Sequence, residues 1–280
     1  MRDISTSRIA DAVAELCVSA NYELGDDVYQ ALVDGLKAEE SPAGRDVLEQ
    51  LIENAKIARE ERVPMCQDTG FAVFFVEVGQ DAHITGGSLS DAINSGVARG
   101  YSEGFLRKSI VEHPLDRKNT GDNTPAIIYT EIVPGDRLKI IIAPKGGGSE
   151  NMSGVRMLKP SDGVEGVKKF VVETVKSAGS NPCPPIIVGV GIGGTMEKAA
   201  LNAKKALLRR VGDHNSNPSD AELEKELLRL VNGTGIGPAG LGGRITALAV
   251  NVETFPCHIA SLPVAVNIQC HAARHKEVVL

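Results

Sequence analysis

The chain has 280 residues with 42% hydrophobic content, enough for a buried core of one large or two small domains. Thirty basic residues against 36 acidic give a net charge of −6, and no Lys/Arg cluster is interleaved with aromatics, which argues against a nucleic-acid partner. No stretch approaches the roughly 20 apolar residues of a membrane span, and the N-terminus "MRDISTSRIADAVAEL" lacks a signal-peptide apolar region, so a cytoplasmic chain without a membrane partner is expected.

Taken in order, residues 1–62 carry helical spacing, with Ile9, Val13 and Leu16, then Val47, Leu51, Ile52 and Ala55. A strand is predicted over 70–79 and a glycine-containing helix over 88–106. "AIIYTEIVPGDRLKIIIAP" reads as a hairpin turning at Pro134-Gly135-Asp136. After the glycines at 146–148 comes a helix over 162–178 with Val164, Val167, Val171 and Val175 on one face. A strand over 186–190 and a helix over 195–210 follow, then a polar loop where Ser219 or Asp220 can cap the next helix. The chain closes in strand-like segments. The pattern predicts an α/β fold, a mixed sheet with flanking helices, as a single domain over 1–280 with a helical lead-in over 1–62.

Gly189-x-Gly191-x-x-Gly194 lies between a predicted strand and a predicted helix, the setting of a dinucleotide fingerprint. That fingerprint also needs a second strand ending in an acid about 20 residues on, and that distance falls at Asp213 in a polar loop. A close strand-to-helix turn explains the glycines without a nucleotide, and nucleotide binding stands as the alternative from a different functional class.

Five cysteines without a C-x-x-C pair do not form a disulfide framework. Cys17 sits on an apolar helical stripe and reads as core. Polar groups crowd the others: Gln67 and Asp68 beside Cys66, His258 beside Cys257, His271, Arg274 and His275 after Cys270, while Cys183 is followed by proline. Three separated thiolates can hold an iron–sulfur cluster with one iron left open as a Lewis acid, and a mixed zinc site of Cys257, His258, Cys270 and His271 is chemically open too.

The segments "PMCQDTG", "NTGDNTPA", "PKGGGSENMS", "NPCPPIIVGVGIGG", "GIGPAGLGGRITALAVNVE" and "PCHIASLPVAVNIQCHAARH" together resemble the alpha-type part of the iron–sulfur hydro-lyases, the class I fumarases and L(+)-tartrate dehydratases. The likeness runs from about Val63 to the C-terminus. It implies a [4Fe–4S] cluster on Cys66, Cys183 and Cys270, with Cys257 outside the ligand set. It further implies that Gln67, Arg107, Gly147 and Gly148 bind a small dicarboxylate and that Asp68 and His258 orient the leaving hydroxyl or relay its proton. Single-chain members carry a second catalytic part with the base at carbon, so the resemblance implies a separate beta subunit here, in an alpha2beta2 assembly. The implied reaction is hydration of fumarate to malate, with dehydration of L(+)-tartrate or a related hydroxy acid as the alternative.

Overall fold

The computed structural model describes residues 2–280. They gather into two compact units, one from 2–24, Asn54–Gly147 and Arg274–Leu280, the other from Gly25–Glu53 and Gly148–Ala273. The helical lead-in forms as α1 (Thr6–Tyr22), α2 (Asp26–Ala38) and α3 (Pro42–Glu61), yet it is divided: α1 belongs to the first unit, α2 to the second, and α3 contributes to both. The fold is α/β with mixed sheets. Among the described residues no helix is long and apolar enough to cross a membrane.

In the first unit, β1 (Arg2–Ser5) pairs in parallel with β3 (Ala82–Thr85), and a four-stranded sheet runs β10 (Lys276–Val279), β5 (Leu138–Lys145), β2 (Phe71–Gly79), β4 (Ile127–Val133). The predicted hairpin is therefore corrected: β4 and β5 do not pair but flank β2, parallel on one side and antiparallel on the other. The reason is burial. β2 buries Ala72 to Val76 without a break, which demands a central place, whereas β4 is half-exposed and suits an edge. The turn at Pro134-Gly135-Asp136 passes over the end of β2, where Gly79 N–H donates to the Arg137 carbonyl at 2.8 Å and a Cβ on Gly79 would lie 2.6 Å from the Gly135 oxygen.

Helix α4 (Leu89–Glu103), capped by the Ser88 hydroxyl accepting from Asp91 N–H at 3.0 Å, packs on α1. Gly96 and Gly100, four residues apart, share the face toward α1, where a Cβ would meet the Ala10 and Ala14 carbonyl oxygens at 2.7 Å. The two helices touch backbone to backbone, and Ile9, Val13, Cys17, Val97 and Tyr101 fill the core against Phe74, Ile140 and Ile142.

The second unit is built on the sheet β6 (Gly154–Leu158), β9 (Leu262–Gln269), β7 (Ile186–Gly193), β8 (Ala247–Phe255). A single turn, α5 (Gly147–Glu150), precedes β6 in the chain, and Ile186, Val188 and Val190 face a core shared with Val167, Val171 and Val175 of α6 (Gly163–Ala178) and Leu227 and Val231 of α8 (Pro218–Asn232). The alternate residues Gly189 and Gly191 face α7 (Met196–Ala206), where any Cβ would collide with the Ala203 and Ala199 carbonyls. Helix α8 is capped by Asn217, whose side chain accepts from Ser219 N–H at 2.9 Å with Pro218 in the first turn; this displaces the cap predicted at Ser219 or Asp220.

Candidate active site

In the first unit, Cys66 lies on the loop from α3 to β2, whose backbone polar groups find partners on neighbouring elements. Met65 N–H donates to Asn21 O at 3.0 Å, and Asn54 Nδ2 donates to Met65 O at 2.9 Å. The Tyr101 hydroxyl donates to Thr69 O at 2.9 Å and Gly70 O at 3.1 Å, and Asn123 Nδ2 reaches Gly70 O at 3.2 Å. Burial raises the Tyr101 phenol pKa well above its usual value, keeping that hydroxyl a donor. The loop then turns at Gly70, φ +75°, where a Cβ would strike the Lys145 backbone at 2.6 Å.

Asp68 closes the arrangement: Oδ1 accepts from Gly70 N–H at 3.0 Å and Oδ2 from Gly147 N–H at 2.8 Å. The Gly147 N–H expected to meet a substrate anion is therefore engaged by Asp68. Thr69 Oγ1 donates to the Arg107 carbonyl at 3.0 Å, which fixes the Arg107 backbone beside the loop while its side chain stays exposed with that of Gln67. Cys66, Gln67, Asp68, Arg107 and Gly147 thus lie together within this unit. Behind them Arg274, 3% exposed, donates from Nη2 to the Asp68 carbonyl at 2.5 Å.

In the second unit, Cys183 sits in the turn between α6 and β7 with φ +56°, a left-handed backbone that an L-residue rarely adopts. Cys270 follows β9 directly. Because β7 and β9 run antiparallel with Ile187 opposite Gln269, the two cysteines lie at the same end of the sheet. His271 Nδ1 lies 2.9 Å from the Cys183 carbonyl oxygen and ties the two segments. Gly148 passes close to Asn181, with a built Cβ at 3.5 Å from its carbonyl oxygen, and Ser149 Oγ lies 3.3 Å from Gln269 Oε1, so Gly148 belongs to this end as well.

Cys257 and His258 lie in the exposed connection from β8 to β9, at the opposite end of that sheet. Cys257 Sγ contacts Ser261 O at 3.3 Å, and His258 Nδ1 accepts from Ala260 N–H at 3.1 Å. Eight residues of β9, at about 3.3 Å each, separate this loop from Cys270. Within this unit a strand's length thus separates His258 from Cys183 and Cys270. The same separation removes the zinc alternative of Cys257, His258, Cys270 and His271, and among the described residues no group of three His, Cys, Asp or Glu side chains is gathered for a metal ion.

None of the five cysteines is in a disulfide, and Cys17 is buried, with desolvation raising its thiol pKa far above the ordinary value. The glycine motif serves packing: Gly189 and Gly191 admit α7, and Glu197 in its first turn accepts from Thr195 Oγ1 at 2.5 Å, placing a carboxylate where a dinucleotide phosphate would need to sit. Sequence reasoning noted Arg274 only as a polar neighbour of Cys270 and His271 also as a ligand of the zinc alternative; their partners, the Asp68 and Cys183 carbonyls, are distant in sequence and carry no local signal.

The family described as Fumarate hydratase (Fumerase) matches residues 10–279. The putative L(+)-tartrate dehydratase subunit alpha of Methanocaldococcus jannaschii is 48% identical over 273 residues, covering 95% of each chain. The L(+)-tartrate dehydratase subunit alpha of Escherichia coli K12 is 35% identical over 274 residues, covering 96% of this chain and 90% of the relative.

Proposed function

The chain belongs to the Fumarate hydratase (Fumerase) family of hydro-lyases, and on that premise we propose that it is the alpha subunit of a two-component iron–sulfur hydratase acting on a four-carbon dicarboxylate in the cytoplasm. The observation that carries the reading is the placement of Cys183 and Cys270 at one end of one sheet, with Cys257 at the other. Thiol chemistry fits the implied group: Cys66, Cys183 and Cys270, none in a disulfide, would hold a [4Fe–4S] cluster. When bound, that cluster supplies a Lewis acid for the hydroxyl that leaves or adds.

The reaction breaks a C–O bond and removes a proton from the neighbouring carbon, releasing water. The Arg107 guanidinium holds one substrate carboxylate as a bidentate fork, and Gln67 supplies amide donors and an acceptor next to it. Asp68 keeps lone pairs beyond its two backbone bonds to orient the substrate hydroxyl. The Gly147–Gly148 turn leaves room for a carboxylate because neither residue has a side chain. The proton at carbon is taken by a base of the beta subunit. His258, a strand's length from Cys183 and Cys270, serves such a site only when another chain of the assembly carries it in, and an alpha2beta2 enzyme has a second alpha chain to do so.

Fumarate and malate are the proposed substrate pair. The names of the relatives favour a second reading, L(+)-tartrate, which loses water by the same bond changes. The test is anaerobic reconstitution with iron and sulfide, with and without the beta partner, followed by assay on malate, fumarate and L(+)-tartrate. A chain that takes up the cluster and turns over only with its partner supports the reading. Full turnover by the chain alone, or no turnover of any hydroxy dicarboxylate by the reconstituted pair, overturns it.

A further inference from the structure

The sheet of the second unit runs β6, β9, β7, β8, so β6 and β8 form its two edges. The β8 edge is covered. Val252 N–H donates to Glu224 Oε1 at 2.8 Å, the Val252 carbonyl accepts from Arg209 Nη2 at 2.9 Å and Asn215 Nδ2 at 2.8 Å, and Asn232 Oδ1 accepts from Ala247 N–H at 2.8 Å. The β6 edge is bare. Ile268 N–H donates to Ser153 Oγ, so the even-numbered residues of β9 turn their backbone groups toward β6, and the register bonds them to Gly154, Arg156 and Leu158. The backbone groups of Val155 and Met157 therefore point away from the sheet along its plane, and among the described residues they have no hydrogen-bond partner. The two side chains, opposite Ala265 and Pro263, share the face of α7 and are 46% and 54% exposed. Met157 borders a largely apolar cavity of about 680 Å³ with Met196, Leu201, Phe255 and Pro256. Charge does not protect this edge, because Arg156 lies over the Phe170 ring on the other face and pairs with Glu173 at 3.0 Å. An uncovered apolar edge strand is a template for a further strand.

Two observations name that strand. Val155 and Met157 are placed symmetrically about Arg156, so a second copy running antiparallel, with Arg156 opposite its own counterpart, sets each Val155 against the partner's Met157 and pairs every outward N–H and C=O of both strands. That pairing has a two-fold axis perpendicular to the sheet and turns the second sheet end for end. The partner's Cys257 and the partner's His258 then stand on the same side as Cys183 and Cys270 of the first chain, with the two β9 strands three strand spacings, about 14 Å, apart. Within one chain a strand's length, about 26 Å, keeps His258 from those cysteines, and pairing replaces it by the shorter lateral step. We infer that the β6 edge is the contact between two alpha chains, joining their sheets into one of eight strands and setting each His258 loop at the other chain's cysteine end. The choice of occupant rests on the proposed alpha2beta2 hydratase, whereas the open edge stands without it.

The test uses the chain reconstituted with its beta partner and the chain alone. Sedimentation is expected to show two alpha chains in each, and Met157→Asp, which sets a carboxylate on the apolar edge, is expected to raise the dissociation constant of the alpha dimer roughly a hundredfold or more. Register is read by Arg156→Cys. At the axis its two copies form a non-hydrogen-bonded pair with Cα atoms about 4.5 Å apart, within disulfide reach, and mild oxidation is expected to yield a 156–156 cross-linked peptide in mass spectrometry. This arm decides the matter if the aspartate variant does not fold. A single alpha chain in both preparations overturns the inference, as does an alpha dimer that gives no 156–156 cross-link and withstands Met157→Asp. An alpha–beta complex lost in Met157→Asp, without alpha pairing, assigns the edge to the beta subunit and overturns it too. A 156–156 cross-linked assembly that turns over no hydroxy dicarboxylate supports the strand pairing while overturning the hydratase reading, so the two failures are distinct.

Discussion

The two ends of the second unit's sheet both present a cysteine next to a histidine, Cys270–His271 at one and Cys257–His258 at the other, yet they are built differently. At the Cys270 end the chain is tied from several directions. Ile186 N–H donates to Thr246 O at 2.9 Å, Ala239 N–H to Pro184 O at 2.8 Å, and Asn232 Oδ1 accepts from Thr246 and Ala247 N–H. The Glu39 carboxylate, 2% exposed, accepts from the N–H groups of Glu40, Ser41, Arg244 and Ile245. At the Cys257 end Phe255 is 48% and Ile259 92% exposed, and the bonds within the loop are local. A residue pair has the same chemistry at both ends, but only one end is tied by bonds from distant parts of the chain.

The largest effect that sharpens this contrast is expected between the ends, on β7 itself. Gly191→Ala must displace α7 backbone, a cost of roughly 3 kcal/mol or more, at the high end of overpacking. Thermal unfolding of the purified chain measures it, and an undisturbed melting temperature would return the glycine motif to a ligand-binding role. Next in size, Arg107→Lys loses the bidentate fork and is expected to reduce kcat/KM by about 1.5–3 kcal/mol, roughly ten- to a hundredfold, with iron content unchanged. Steady-state kinetics of the reconstituted pair would remove Arg107 from the site if both kcat and KM stayed as they were.

Glu39 tests the tied end through stability. Burial raises its pKa, but four backbone donors outweigh that and hold the carboxyl below its ordinary value. A group whose folded pKa is depressed contributes stability above the unfolded value of about 4.3, and that contribution is lost as pH falls toward and through the folded value. Glu39→Gln is therefore expected to destabilise the chain by about 1–3 kcal/mol near neutrality and to flatten the fall in stability below about pH 4.3. Urea unfolding at pH 7 and pH 3.5 reads both. The smallest effect is expected at the loose end, where His258→Asn should leave iron content and melting temperature unaltered.

Local structure was largely legible. The stripe of Ile9, Val13 and Leu16, the spacing of Val167, Val171 and Val175, and the apolar runs of β2 and β7 each became the predicted element. Pairing was less so, since the alternation in β4 and β5 fits a hairpin equally well, and only the unbroken burial of Ala72 to Val76 places β2 between them. The short edge strands β6 and β10 depend on partners far along the chain. At the site, residue types and order pointed to the thiols, while the sheet ends that separate Cys257 from Cys270 and the buried contact of Arg274 with Asp68 arise from tertiary register and had no periodic signature.

The central claim, that Cys66, Cys183 and Cys270 hold the cluster and Cys257 does not, is tested most directly by iron and sulfide counts on the four single Cys→Ser variants after anaerobic reconstitution. Loss of the stable four-iron cluster from Cys66→Ser, Cys183→Ser and Cys270→Ser, with retention in Cys257→Ser, is the predicted result. Retention in Cys270→Ser together with loss in Cys257→Ser would move the metal site to the other end of the sheet and contradict the account.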